Sequence, residues 1–422
     1  MFDDGVKYII MAKITTNRTV TRQHNVITIH SLQNSDSVDH FVGSLRYGIE
    51  RAYEDFEVKF DKSIQGVYPN AVVPIAGVID YYRREKNIVI DGRSSDSLLY
   101  SILSPFELPL HSEYLSRAMG KIWKFNNSSD ISKIQSALIG ELRRMDEFAK
   151  GVLEGIEWSI NEIMDNVFNH SEAPCGFIMG QIHKLSKHVV FTIYDSGIGI
   201  YNSLKDSMHS PRNNADALTK CIQAGVTRDV KVGQGNGMNG LFSLVQEGSG
   251  RLIITSGHDS YEFIDGISEI HSTHQYPSQS HPGTTIDFQL DYSQDISIEK
   301  VLTFQGRTFE FVNLYSENLE NEFGELVFKI SELAEGTGTR DSALRLKNEI
   351  VNLMKTNSQT AVLDFADINV VTSSFIDELV AKLLVELGLF QFNQRVKLRN
   401  MSTLLQQTLQ KSVIQRIIEE YS

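Results

Sequence analysis

The feature that most constrains this chain is a succession of glycine loops between Phe177 and Leu290, each set at one end of an apolar strand or at the start of an apolar helix. The first, Phe191–Ile200 (FTIYDSGIGI), runs a strand into Asp195 and then Gly197 and Gly199. A carboxylate at a strand end, followed by glycines, lets a flat ligand approach bare backbone while the carboxylate accepts a hydrogen bond. A plain turn reads the same way. The second, GQGNGMNG, places Gly233, Gly235, Gly237 and Gly240 ahead of the apolar run Leu241–Val245. Glycines leading into a helix N-terminus offer free N–H groups and a favourable dipole to phosphate. No Gly-Lys-Ser/Thr follows, so this is not a P-loop. The third, Pro282-Gly283-Thr284-Thr285, precedes the strand IDFQL.

A polar stripe lies upstream. In Glu157–His170 (EWSINEIMDNVFNH), Glu162, Asn166 and His170 recur every four residues and share a helix face, while Ile160, Ile163, Met164 and Val167 form the opposite, core-facing side. Asn offers a carbonyl oxygen to a hard cation, and Glu offers a base for a water or hydroxyl. A solvated helix face would carry the same stripe.

Taken in order, the stripe and the three glycine loops resemble the N box and glycine boxes of the GHKL superfamily, the ATP-binding fold of histidine kinases, gyrase-type ATPases, heat-shock chaperones and anti-sigma-factor serine kinases. The resemblance spans Ile131–Leu290 and sets a domain at 131–292. It implies ATP and Mg²⁺ as cofactors. It makes Glu162 the general base or water-polarising carboxylate, and Asn166 the Mg²⁺ ligand. His170 completes the nucleotide-facing stripe. Asp195 would accept from the adenine amino group, with Gly197 and Gly199 making room for the base. Gly233, Gly235, Gly237 and Gly240 would close the ATP lid on the phosphates, and Thr284 would hold adenine through water. Arg228, in the lid between Tyr201 and Val232, is a candidate phosphate contact, or an exposed surface arginine. Glu162-x-x-x-Asn166-x-x-x-His170 resembles the serine-kinase branch more than the sensor kinases, and no acceptor-histidine helix precedes Ile131.

The flanks read as smaller α/β modules. Residues 300–422 carry a helix at Asp341–Lys355, a strand at Ala361–Phe365, a helix at Phe375–Leu387 and a strand at Arg395–Leu398. With TGTRDSALRLKNEI upstream and DFADINVVTSSFIDELVAKL at the centre, this part resembles STAS-type domains, and more narrowly a STAS-like domain of unknown function. In anti-sigma antagonists the phosphorylated serine lies in an Asp-Ser-Ser-Gly turn. The run here is Thr372-Ser373-Ser374-Phe375, so Ser373 is the candidate phosphoacceptor. Alternatively, Ser373 and Ser374 cap the helix beginning at Phe375. Residues 1–127 repeat the strand–turn–helix order, with Val58–Tyr82 laid over Ala361–Leu384 and Pro69 opposite Ser373. They read as a degenerate STAS-like module that cannot be phosphorylated at that position. Residues 94–127 read as an irregular connector.

Composition narrows the function classes. The 422 residues carry a net charge of −13, which argues against wholesale nucleic-acid binding. Two cysteines, Cys175 and Cys221, exclude a disulfide scaffold and point to a reducing compartment. No apolar run spans a bilayer, and Met1-Phe2-Asp3-Asp4 lacks the grammar of a signal peptide. The expectation is a cytoplasmic α/β protein, a central GHKL-type sandwich between two STAS-like modules. It would bind Mg²⁺·ATP, act as a slow ATPase or protein Ser/Thr kinase in a bacterial signalling or stress-response switch, and engage a protein partner or a second copy. The alternative is an ATP-gated conformational switch of the chaperone or gyrase kind, without protein phosphorylation.

Overall fold

A helix whose N-terminal two-thirds is apolar anchors the first half of the chain. Between Pro69 and Lys86 it buries Ala71, Val72, Val73, Ile75, Ala76, Val78 and Ile79 together, and a stretch apolar on every side must be covered on every side. In the computed structural model, which describes residues 19–64, 66–108, 115, 117–227, 236–272, 283–304, 307–308, 314–368 and 371–420, two sheets supply that cover.

The chain divides into two units, the first formed by Met1–Ser136 and Ser159–Asp291, the second by Ala137–Trp158 and Tyr292–Ser422. In the first unit, β1 (Val20–Gln23) and β2 (Val26–Ile29) form a hairpin, and helix α1 (Asp36–Ile49) leads to β3 (Asp55–Phe60). The apolar helix is α2 (Pro69–Lys86), followed by β4 (Val89–Gly92) and α3 (Ser97–Leu103). The sheet order is β1-β2-β3-β4, antiparallel at the first pair and parallel at the other two. A seven-stranded antiparallel sheet follows, in the order β10-β9-β8-β11-β7-β6-β5. Its strands are β5 (Trp123–Phe125), β6 (Gly176–His183), β7 (His188–Asp195), β8 (Arg251–Ser256), β9 (Asp259–Ile264), β10 (Ile267–His271) and β11 (Thr284–Asp291). Phe177, Met179 and Tyr194 of this sheet join the α2 residues in one core, and Gly77 of α2 lies against the Tyr194 ring so closely that a Cβ there would collide with it.

The remaining helices of the glycine-loop region are α4 (Ser128–Met145), α5 (Val152–Asn169), α6 (Gly199–Leu204), α7 (Asn214–Cys221) and α8 (Gly237–Glu247). The near-continuous helical pattern over 131–168 is two helices. They part at residues 146–151, where Gly151 takes φ +82°, a left-handed conformation that ends a helical run. The connector reading of 94–127 also needs correction. It contains α3, capped by Asp96 accepting from Leu98 and Leu99 N–H, and β5, which pairs with β6. The prolines and polar residues of that stretch masked a three-residue strand.

The second unit begins inside α4 and α5 and continues with β12 (Leu326–Lys329), α9 (Arg340–Thr356), β13 (Ala361–Asp364), α10 (Ser373–Ile376), a π-helical turn over Asp377–Ala381, α11 (Lys382–Arg395), β14 (Val396–Arg399) and α12 (Thr403–Glu420). Its three strands are parallel, in the order β12-β13-β14. Asn352 of α9 fixes the chain at the end of α4. Its Oδ1 accepts from Phe148 N–H at 2.8 Å, and its Nδ2 donates to the carbonyls of Arg143 (2.9 Å) and Asp146 (2.8 Å).

The suspected repeat has a topological counterpart. Strands β2, β3 and β4 of the first sheet, like the three strands of the second, run strand–helix–strand–helix–strand in parallel, with β1 an antiparallel addition to the first sheet. Pro69 and Ser373 are the first residues of their helices, and Phe60 and Asp364 the last residues of the preceding strands, so each pair is separated by the same 304 positions. No helix among the described residues is long and apolar enough to cross a membrane.

Candidate functional site

The site is assembled where the ends of β7, β8 and β11 meet the glycine loops. β-Register alone brings its parts together. Thr284 pairs with Asp195 on one side and with Ser256 on the other, and Asp195 in turn pairs with Gly176. Two residues almost ninety positions apart in sequence thus lie as cross-strand neighbours, about 5 Å apart for such pairs.

Asp195 is 8% exposed. Its Oδ1 accepts from Gly197 N–H at 2.8 Å. Burial pushes its carboxyl up to about 6, against the opposing pull of the Gly197 N–H and the Ser171 hydroxyl. Close packing holds the loop in place: Ile198 N–H donates to Ser171 O at 2.8 Å, and a Cβ on Gly197 would collide with that same carbonyl. Gly199, at φ +78°, opens α6.

Ser256 ties the third loop to the first. Its Oγ accepts from Ile200 N–H at 3.0 Å, donates to Gly283 O at 3.1 Å and lies 3.4 Å from Thr284 Oγ1. Three segments thereby share one buried hydroxyl, which fixes the Asp195 loop against Thr284.

On α5, Ile160, Ile163, Met164 and Val167 are buried, as the spacing requires, and Glu162, Asn166 and His170 are half-buried rather than solvated. Burial raises the Glu162 carboxyl above its ordinary range, and the neighbouring Asp165 charge adds to the rise. Asp165 is itself raised by burial, opposed by the Asn161 amide 3.3 Å away. The first residue of α8, Gly237, sits directly over Glu162. A Cβ there would stand 2.7 Å from Glu162 Oε2 and 3.3 Å from its Cβ. Gly240 is buried in the first turn of α8, its N–H donating to Asn236 O at 2.8 Å. Thus the start of α8, with its outward N–H groups, meets the carboxylate stripe of α5. Arg228, Gly233 and Gly235 lie outside the described residues.

Ser171, Ser256 and Asp165 escaped the reading of motifs. Ser171 follows the stripe directly, and Ser256 ends its strand just before Gly257, as Asp195 ends β7 two residues before Gly197. A serine at a strand end is common, so only the register singles it out.

In the second unit, Ser373 is exposed at the first position of α10. The cap foreseen for Ser373 and Ser374 is supplied instead by Thr372, whose Oγ1 accepts from Phe375 N–H at 3.2 Å and lies 3.1 Å from Ser374 Oγ. The helix begins two residues earlier than its apolar pattern, so the capping position moves back with it, leaving the Ser373 hydroxyl out of the cap.

Residues 342–404 match the model of a STAS-like domain of unknown function (DUF4325). The match covers α9, β13, α10, α11 and β14. No curated protein matches the chain.

Proposed function

We propose that residues 131–292 form a GHKL-type nucleotide site that binds Mg²⁺·ATP, and that the chain is a cytoplasmic regulatory ATPase or protein Ser/Thr kinase. The observation that carries this reading is the adjacency of Asp195 and Thr284 in a buried row, walled by glycines that tolerate no side chain. A base lying against that row would present its exocyclic amine to Asp195, and Thr284 would lie beside it. Glu162 and Asn166, under the glycine-led start of α8, would serve the phosphate end. Asn166 would take Mg²⁺ through its carbonyl oxygen. Glu162, a carboxylate made more basic by burial, would draw a proton from the attacking water or hydroxyl. The metal would neutralise charge on the phosphates during transfer.

The STAS-like module supplies a candidate acceptor. Ser373 is exposed and not committed to capping, and a phosphate on it would meet the N–H groups at the start of a helix, worth ~0.3–1 kcal/mol when exposed. Incubation with γ-labelled ATP and Mg²⁺, with free phosphate and protein-bound phosphate read in parallel, tests the function. Label on the peptide containing Ser373 supports the kinase. Free phosphate alone supports the ATPase, or the ATP-gated switch of the chaperone or gyrase kind, which also passes phosphate to water. Absence of both nucleotide binding and ATP consumption overturns the proposal.

A further inference from the structure

A row of hydrogen-bonded polar side chains lies in the first unit, on the four-stranded sheet and independent of the nucleotide reading. The β1–β2 hairpin pairs Thr21 with Thr28, and His30 N–H donates to Thr19 O at 2.7 Å, which sets His30 diagonally from Thr21. Asp61 continues β3 by one step, its N–H donating to Ile29 O at 2.9 Å, so its side chain falls beside His30.

The three side chains form a hydrogen-bonded relay. Thr21 Oγ1 is 2.7 Å from His30 Nε2, and His30 Nδ1 is 2.8 Å from Asp61 Oδ2. The other carboxylate oxygen, Asp61 Oδ1, accepts from Ser63 N–H at 2.9 Å and Ser63 Oγ at 2.7 Å. The Ser63 N–H, the Ser63 hydroxyl and His30 together hold the Asp61 carboxyl down to about 2. An ionised carboxylate only accepts, so Nδ1 must carry the proton. In the neutral imidazole Nε2 is then the acceptor, and the Thr21 hydroxyl donates to it. Hydroxyl, base and orienting carboxylate thus stand in the order and at the distances that activate an alcohol nucleophile. Thr21 is exposed, and the His30 and Asp61 side chains are each about one-third exposed, at 35% and 33%. A reagent can reach the hydroxyl.

We propose that Thr21 is an activated nucleophile that takes an acyl group from small activated esters, with His30 as its base and Asp61 as the positioning carboxylate. In the step, Thr21 Oγ attacks the ester carbonyl carbon and its proton passes to His30 Nε2. The tetrahedral adduct collapses, the ester C–O bond breaks, and the alkoxide or phenolate leaves. Acyl-Thr21 remains, and His30 returns its proton to solvent or to the leaving group.

The test uses the full chain and p-nitrophenyl acetate, reading p-nitrophenolate release and, by mass spectrometry, acetyl on the peptide containing Thr21. The wild type should acetylate Thr21 faster than Thr19 or Thr28. Thr21→Ser should remain reactive, and Thr21→Val should lose the adduct with its fold intact by circular dichroism. His30→Gln should slow Thr21 acetylation ~10²-fold, the low end for loss of a general base, with Asp61→Asn slowing it less. Acetylation at Thr21 no faster than at its neighbours, or unchanged in His30→Gln, overturns the proposal.

Discussion

Gly237, the first residue of α8, leaves no room for a side chain above Glu162: a Cβ would stand 2.7 Å from the Glu162 carboxylate. A glycine-led helix start and the polar stripe of a separate helix are therefore parts of one site. Gly237→Ala should push the Glu162 carboxylate aside at little cost to the fold, because the obstructed atom is the far end of a flexible side chain. The expected outcome is a fall in ATP turnover, read by phosphate release, with a melting temperature close to wild type.

Asp195 couples stability to pH. Its carboxyl titrates near 6 in the folded chain, above the ordinary value of 3.8. The folded state therefore holds the proton more tightly. The associated stability is full below about pH 4 and is lost as pH rises through about 6. A rise of that size corresponds to roughly 3 kcal/mol of stability given up at neutral pH. Asp195→Asn should accordingly raise the melting temperature of the nucleotide-free protein at pH 7 and flatten its decline between pH 4 and 6. Thermal melts across that range check it. A variant no more stable than wild type at pH 7 would mean the carboxylate is better compensated than its burial indicates.

Much of this was legible in the order of motifs, and the rest was not for physical reasons. Periodicity finds the buried face of α5 because Ile160, Ile163, Met164 and Val167 repeat at helical spacing. It cannot find β5, because three residues are too few for an alternation to register. It also cannot tell that the first part of α2 is apolar all round because two sheets cover it, since that cover comes partly from β6 and β7 far along the chain. The strand-end Asp195 and the post-glycine Thr284 are visible singly, but their pairing is a property of β-register alone. Ser256 shows the limit most clearly: one hydroxyl joins three segments, and nothing in its local sequence says so.

The packing of α2 on the seven-stranded sheet can be tested through Gly77. A methyl group there meets the buried Tyr194 ring. Overpacking of this kind costs typically ~1–3 kcal/mol. Gly77→Ala should lower the denaturant midpoint, and the added Tyr194→Leu, which vacates the ring, should recover part of the loss. Equal midpoints for wild type and Gly77→Ala would contradict the packing.

Glu162 and Asn166 should separate chemistry from metal binding. Glu162→Ala should keep ATP binding while turnover falls ~10²–10⁴-fold, the worth of a general base. Asn166→Ala should instead abolish the Mg²⁺ dependence of binding. Nucleotide binding with and without Mg²⁺, together with single-turnover phosphate release, distinguishes the two. Intact turnover in Glu162→Ala would return the carboxylate to an ordinary half-buried helix face.

The central claim is that the buried row of Asp195 and Thr284 recognises adenine, and calorimetric titration of Mg²⁺·ATP into the wild type and Asp195→Asn tests it most directly. The account predicts saturable binding to the wild type and a loss of ~1–3 kcal/mol in the variant, the worth of a hydrogen bond to a charged group. No binding by the wild type, or equal affinity in the folded variant, would contradict it.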